Sequence, residues 1–249
     1  MSDVKPPLFR RLAAELLGTG LLVTVVVGSG IAAQSLSPND VGLQLLENSL
    51  ATVFGLAVLI LVFGPVSGAH FNPVVSAVDW LLGRRRGTGL SGREVGAYTL
   101  AQVAGGVLGA VLANVMFDLP AGQIATTDRV SVGHGVGEVV ATAGLVLLIF
   151  ALARTGRAAL SAVAVGAYIG SAYWFTSSTS FANPAVTVGR MFSDTFAGIA
   201  PGSVPLFIVA QVVGAAVGLA LVYLLFPNVS AAAGRVVVPH ANTVTTEKS

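Results

Sequence analysis

Asn72-Pro73 and Asn183-Pro184 are the two Asn-Pro dipeptides of this chain, and each lies inside a long apolar stretch. Asn is a favoured helix N-cap, and Pro is favoured at the first helical position, where the missing N–H has no intrahelical partner to lose. Each dipeptide therefore starts a helix in the middle of apolar sequence. If that sequence lies in a bilayer, backbone that breaks there must be buried in protein or line a water-filled cavity. Two such starts, one per half of the chain, predict two short half-helices whose N-termini meet at a pore.

Composition decides whether a bilayer is involved. Of the 249 residues, 54% are hydrophobic and 10% charged, whereas soluble domains carry about 25% charged residues. Six apolar spans are read at 8–33, 46–64, 95–117, 134–154, 159–177 and 204–226, each near the roughly 20 residues that cross a hydrocarbon core. The segments 72–82 and 183–192 after the Asn-Pro pairs are too short to cross. Thirty Gly without a collagen period suit close helix contact in lipid, with Gly105, Gly109, Gly214 and Gly218 spaced by four. Cys is absent, which excludes disulfides, thiol chemistry and Cys-based metal sites. His70, His134 and His240 are too scattered for a metal or nucleophile–base constellation, so neither an enzyme nor a cofactor is expected. The net charge of +2 sits in short loops, which fits topology control better than nucleic-acid binding.

The basic residues also set an orientation. Lys5, Arg10, Arg11, Arg84, Arg85, Arg86, Arg93, Arg154, Arg157, Arg235 and Lys248 fall on one side of the six spans, and only Arg129 and Arg190 on the other. The positive-inside rule then puts both termini in the cytoplasm of a multi-pass protein of the plasma or inner membrane. The halves repeat weakly: Ala101-Gln102-Val103-Ala104-Gly105 is echoed by Ala210-Gln211-Val212-Val213-Gly214, and Glu15 by Glu138. With three spans per half, the second copy is inverted in the membrane, an arrangement that places a site near the midplane. Residues 1–228 are read as one channel domain, with halves at about 8–117 and 134–226, followed by a polar tail at 229–249.

The segment Ser67-Gly68-Ala69-His70-Phe71-Asn72-Pro73-Val74-Val75-Ser76, paired with Phe181-Ala182-Asn183-Pro184-Ala185-Val186, closely resembles the major intrinsic protein family, the aquaporins and aquaglyceroporins. With the Glu and Gln-x-x-Gly echoes the likeness covers residues 8–228. It implies an all-α membrane protein of six transmembrane helices and two re-entrant half-helices, in a homotetramer with one pore per subunit in the lipid bilayer. It also implies that Asn72, Pro73 and Val74, and Asn183, Pro184 and Ala185, form the pore centre. The Asn side-chain oxygens cap the half-helices there, and the positive dipole ends disfavour cations.

Two positions depart from the family pattern. The first box reads Asn-Pro-Val, and Val186 stands where family members usually carry a filter Arg, so a fixed charge and five N–H donors are lost there. Family spacing suggests Thr52, Ser171 and Ser180 as the other filter residues, with Phe54 and Tyr173 as alternatives to Thr52 and Ser171 if a gap intervenes. The small, Arg-free filter resembles members found beside arsenic-resistance genes. The implied cargo is small neutral solutes: glycerol, neutral arsenite and other metalloids, methylated arsenicals, and water. A secondary transporter with inverted repeats and a water-selective aquaporin are the alternatives.

The remaining polar residues receive structural readings. Glu15 and Glu138 are expected to accept backbone N–H bonds from the re-entrant loops, in preference to relaying protons. His70 is read as loop packing before pH gating, and Arg84–Arg86 as a cytoplasmic anchor touching anionic lipid. Arg190 lies one turn beyond Val186 and shares its face. It is read as a cation complementing the half-helix dipole at the membrane surface, with a contribution to the outer vestibule as the alternative.

Overall fold

The computed structural model describes residues 5–84 and 87–226, so the tail at 229–249, His240, Arg85, Arg86, Arg235 and Lys248 lie outside the described residues. Eight helices follow one another: α1 Leu8–Leu36, α2 Val41–Ser67, α3 Pro73–Gly83, α4 Gly92–Met116, α5 Val132–Arg154, α6 Ser161–Phe175, α7 Pro184–Gly189 and α8 Val204–Leu225. Short 3₁₀ turns lead into α6 and α8, and another extends α7 through Arg190–Phe192. Among the described residues six segments are long and apolar enough to cross a membrane; α3 and α7 are the short pair.

Capping chemistry moves several ends from where hydropathy places them. Asp40 caps α2 by accepting Leu43 N–H at 2.9 Å, so that helix starts five residues before the expected 46. Ser91 and Glu94 form a reciprocal capping box at the start of α4, and Ser131 caps α5 through His134 N–H. Hydropathy is blind to a polar cap, so these starts needed hydrogen-bond reasoning.

The helices pack as two intertwined triplets. α1 lies against α4 and α2, α5 lies against α8 and α6, and α2 meets α6 across the middle. α7 reaches back to pack on α4 as well as α8, and α3 contacts both of the same helices. Each half-helix is therefore held by a long helix from each half. Exposed apolar side chains cover the outside, among them Phe54, Val58, Leu61 and Val62 on α2, and Val209, Val212 and Val213 on α8.

Glycine sets the closest approaches. A Cβ on Gly105 would fall on the Leu16 carbonyl oxygen, and one on Gly109 on that of Gly20. In the second half, a Cβ on Gly214 would lie 2.6 Å from the Val139 oxygen, and one on Gly218 2.7 Å from that of Ala143. These contacts let α1 and α4, and α5 and α8, touch backbone to backbone. Gly96 on α4 faces open space instead. Gly214→Ala is therefore expected to cost about 1–3 kcal/mol by overpacking. Gly96→Ala should be neutral or stabilise by about 0.5–1 kcal/mol. Thermal scans of the detergent-solubilised variants check the contrast.

Candidate functional site

Two strained loops carry the half-helices into the centre. In the loop before α3, Gly68, Ala69 and Phe71 have φ of 90°, 47° and 51°; before α7, Thr179, Ser180 and Ala182 have 59°, 51° and 49°. Left-handed backbone costs a residue with a side chain roughly 1–2 kcal/mol, so five of these six positions need outside support.

The support comes from two buried carboxylates. Glu15 Oε1 accepts from Ser67 Oγ at 2.6 Å and His70 N at 3.0 Å, and Oε2 from Phe71 N at 2.7 Å and Gln102 Nε2 at 2.8 Å. Glu138 repeats the pattern, with Oε1 on Phe181 N at 2.9 Å and Oε2 on Ala182 N at 2.8 Å and Gln211 Nε2 at 2.6 Å. The same glutamines reach on to Ser76 Oγ and Thr187 Oγ1, whose hydroxyls bond the Asn72 and Asn183 carbonyls. The Gln echo was legible in the sequence as repetition. The Glu echo was legible in the same way, together with its bonds to the loops; the bond from each Gln to its Glu was not.

The two Asn residues close the assembly. Asn72 Oδ1 accepts Val74 N–H at 3.1 Å, and Asn183 Oδ1 accepts those of Ala185 and Val186 at 2.9 and 3.3 Å. Each Nδ2 then crosses to the other loop: Asn72 donates to the Ala182 carbonyl at 2.8 Å, and Asn183 to that of Phe71 at 2.7 Å. One N–H of each amide is thus used to lock the loops together, leaving the second for the cavity that both residues line. Pro73 and Pro184 occupy N1 of α3 and α7, and Val74 and Ala185 follow, both buried.

An internal cavity of about 60 Å³ runs past the Asn pair, several times the space one water needs. Stripes at four-residue spacing form its walls: Leu22 and Val26; Thr52, Leu56 and Ile60; Leu145 and Ile149; Val165, Ile169 and Tyr173. Toward the end where α2 begins, Thr52, Tyr173, Ser180, Phe181, Val186 and Arg190 gather. The Thr52 hydroxyl lies 3.2 Å from the Tyr173 hydroxyl and also donates to the Asn48 carbonyl.

Two placements, those of Ser171 and Arg190, differ from the sequence reading. Ser171 is on the exposed face of α6, its Oγ bonded to the Tyr168 carbonyl, and Tyr173 lines the cavity instead. Two residues turn a helix through about 200°, so 171 and 173 cannot share a side. The 165–169–173 stripe was the signal that selects Tyr173. Phe54, the alternative to Thr52, is 67% exposed, while Thr52 sits on the 52–56–60 stripe. Arg190, read first as a surface cation, is 2% exposed and lines the cavity.

Around this end, charge is held by the loop that follows α7. Arg190 Nε donates to the Ala197 carbonyl, and its Cζ lies 3.4 Å from the centroid of the Phe181 ring. Arg129 bonds the Gly198 and Phe196 carbonyls at 2.8 and 3.1 Å, and desolvation lowers its pKa. Asp128 is held below the usual carboxylate range by the Ser203 hydroxyl and the Val130 N–H. At the opposite end His70 packs on Tyr98, ring centroids 5.6 Å apart, with Nδ1 3.0 Å from Ser76 Oγ. Arg84 lies over Trp80.

Comparison with known proteins agrees with this architecture. The family model described as Major intrinsic protein matches residues 3–177 and 159–248. The aquaglyceroporin AqpS of Rhizobium meliloti (strain 1021) is 50% identical over 221 residues, spanning 88% of this chain and 92% of that protein. The glycerol uptake facilitator protein of Pseudomonas aeruginosa is 32% identical over 253 residues, covering 86% and 87%. Among solved structures, the aquaglyceroporin from Plasmodium falciparum shares the fold with a TM-score of 0.61 at 22% identity, covering 87% of this chain and 96% of that one.

The carboxylate contacts generate a test. Glu138→Gln turns one acceptor oxygen into a donor facing backbone N–H groups, at about 1–3 kcal/mol for each group left without a partner. A lowered thermal midpoint of the purified variant and loss of solute flux in liposomes are expected together. Normal values of both would remove Glu138 from the loop's support.

Proposed function

The chain belongs to the major intrinsic protein family, and we propose that it is a passive channel for glycerol and other small uncharged solutes through the cavity between α3 and α7. The observation that carries this reading is the composition of the cavity wall. Apolar stripes face a short set of polar groups: Thr52 and Tyr173 hydroxyls, Ser180, the amides of Asn72 and Asn183, His70 and Arg190. A polyol passing such a wall keeps its carbons on the stripes and exchanges water for hydroxyl and amide partners one at a time.

Passive flow follows from what the wall lacks. Among the described residues lining the cavity His70 and Arg190 are ionisable but none is a carboxylate, and coupling to protons or sodium needs carboxylates or similar groups at the site. The reading is of a conduit and not an enzyme. It favours solute passage over strict water selectivity, because Val186 leaves the filter wider than an Arg there would.

The same wall suits trivalent arsenite, a neutral trihydroxide at neutral pH that resembles part of glycerol in shape and hydrogen bonding. Methylated arsenicals demand more width. Assembly as a homotetramer, with one pore per chain, gives the exposed apolar faces of α2 and α8 partners in lipid or in neighbouring copies. The Lys/Arg asymmetry favours a plasma or inner membrane location with both termini cytoplasmic. The range 1–228 then serves as a single channel domain.

Purified protein in liposomes is expected to speed glycerol entry with no ion gradient imposed, read by stopped-flow light scattering. Strict dependence on a proton or sodium gradient would replace the channel with a transporter. Val186→Arg is expected to lower glycerol and arsenite permeability roughly tenfold more than water permeability, a differential barrier of about 1.4 kcal/mol. An unchanged ratio at equal membrane abundance would place position 186 outside the filter.

A further inference from the structure

Arg190 has surroundings that a surface cation would not have. It is 2% exposed, its guanidinium stacks on Phe181, and its Nε is fixed by the Ala197 carbonyl. Its two terminal NH2 groups donate to no protein acceptor among the described residues, and no carboxylate forms a salt bridge with it there. Arg129 approaches the same ring, with Cζ 5.3 Å from the centroid, so two guanidinium groups contact Phe181. Withdrawing an unpaired cation from water is strongly unfavourable unless other polar groups solvate it. The free donors of Arg190 therefore belong to whatever fills the cavity it lines.

We infer that Arg190 is the fixed positive charge of the filter, set one helical turn beyond the position that Val186 leaves apolar. The inference rests on the channel reading above and adds how that channel refuses cations. Val186 sets the width, and Arg190 sets the charge. A neutral solute meets two NH2 groups that can donate to its hydroxyl or carbonyl oxygens, whereas a cation meets repulsion. At an effective dielectric of about 20, a cation about 6 Å from a guanidinium is disfavoured on the order of a hundredfold, and water in the pore reduces this toward tenfold.

Urea and the guanidinium ion test this directly, because they are planar and nearly the same size but differ in charge. Wild-type liposomes are expected to pass glycerol and urea and to exclude guanidinium. Arg190→Met keeps an apolar stem over Phe181 and removes both the charge and the donors, so the guanidinium-to-urea permeability ratio, which isolates the charge, should rise about ten- to a hundredfold. Arg190→Gln, which retains a donor for the Ala197 carbonyl, serves the same purpose if the Met variant does not assemble. The double variant Val186→Arg with Arg190→Met should restore exclusion, which loosening of the loop alone would not allow. A guanidinium-to-urea permeability ratio equal to wild type in Arg190→Met or Arg190→Gln, with urea flux above that of empty liposomes, overturns the inference. A wild type that passes neither glycerol nor urea overturns the channel reading beneath it instead.

Discussion

Two buried carboxylates hold this pore open. Glu15 and Glu138 each accept backbone N–H groups from a loop whose left-handed residues would relax if released. A carboxylate in a dry interior is costly unless its oxygens are satisfied, and here they are filled from the loops and from Gln102 and Gln211. The charge and the strain thus stabilise one another: neither arrangement is favourable alone. Everything at the centre follows, because α3 and α7 start where these loops deliver Asn72 and Asn183.

The loops are also tied to each other. Asn72 donates to the Ala182 carbonyl and Asn183 to the Phe71 carbonyl, so displacement of one half-helix pulls on the other. The backbone contacts at Gly106, where a Cβ would meet the Ala185 oxygen at 2.7 Å, add a steric stop behind α7. A conduit that relies on narrow, fixed geometry gains from such coupling, since a shift of about 1 Å changes which solutes fit.

The fold was legible because its strongest signals are local or periodic. Span length, the Asn-Pro starts and the glycine spacing each constrain geometry within a few residues. Of the four residues expected in the filter, Thr52, Ser180 and Val186 line the cavity and Ser171 does not. Tyr173 stood only as the alternative to Ser171 because its distance from Asn183 depends on how Thr176–Phe181 leave α6, and the stripe through Val165 and Ile169 selects it. Arg190 was misplaced for a different reason. A helix wheel puts it on the face of Val186 but says nothing of Phe181 and Ala197, the groups that hold it buried.

The pseudo-symmetry of the cavity shows where the halves part ways. Asn183 minus Asn72 gives an offset of 111, and it also relates Ala69 to Ser180, His70 to Phe181 and Val75 to Val186, all of which line the cavity. Applied to Arg190 it returns Asp79. Both are buried near the far end of a half-helix, and both tether the loop that follows, Asp79 through Leu90 N–H at 2.7 Å and Arg190 through the Ala197 carbonyl. Only Arg190 is among the cavity-lining residues. Equivalent scaffold positions thus carry opposite charges, and the charge that reaches the cavity is the cation. A strict repeat would have put like groups at both mouths; the departure at this one pair gives the pore a chemical direction while its frame remains symmetric.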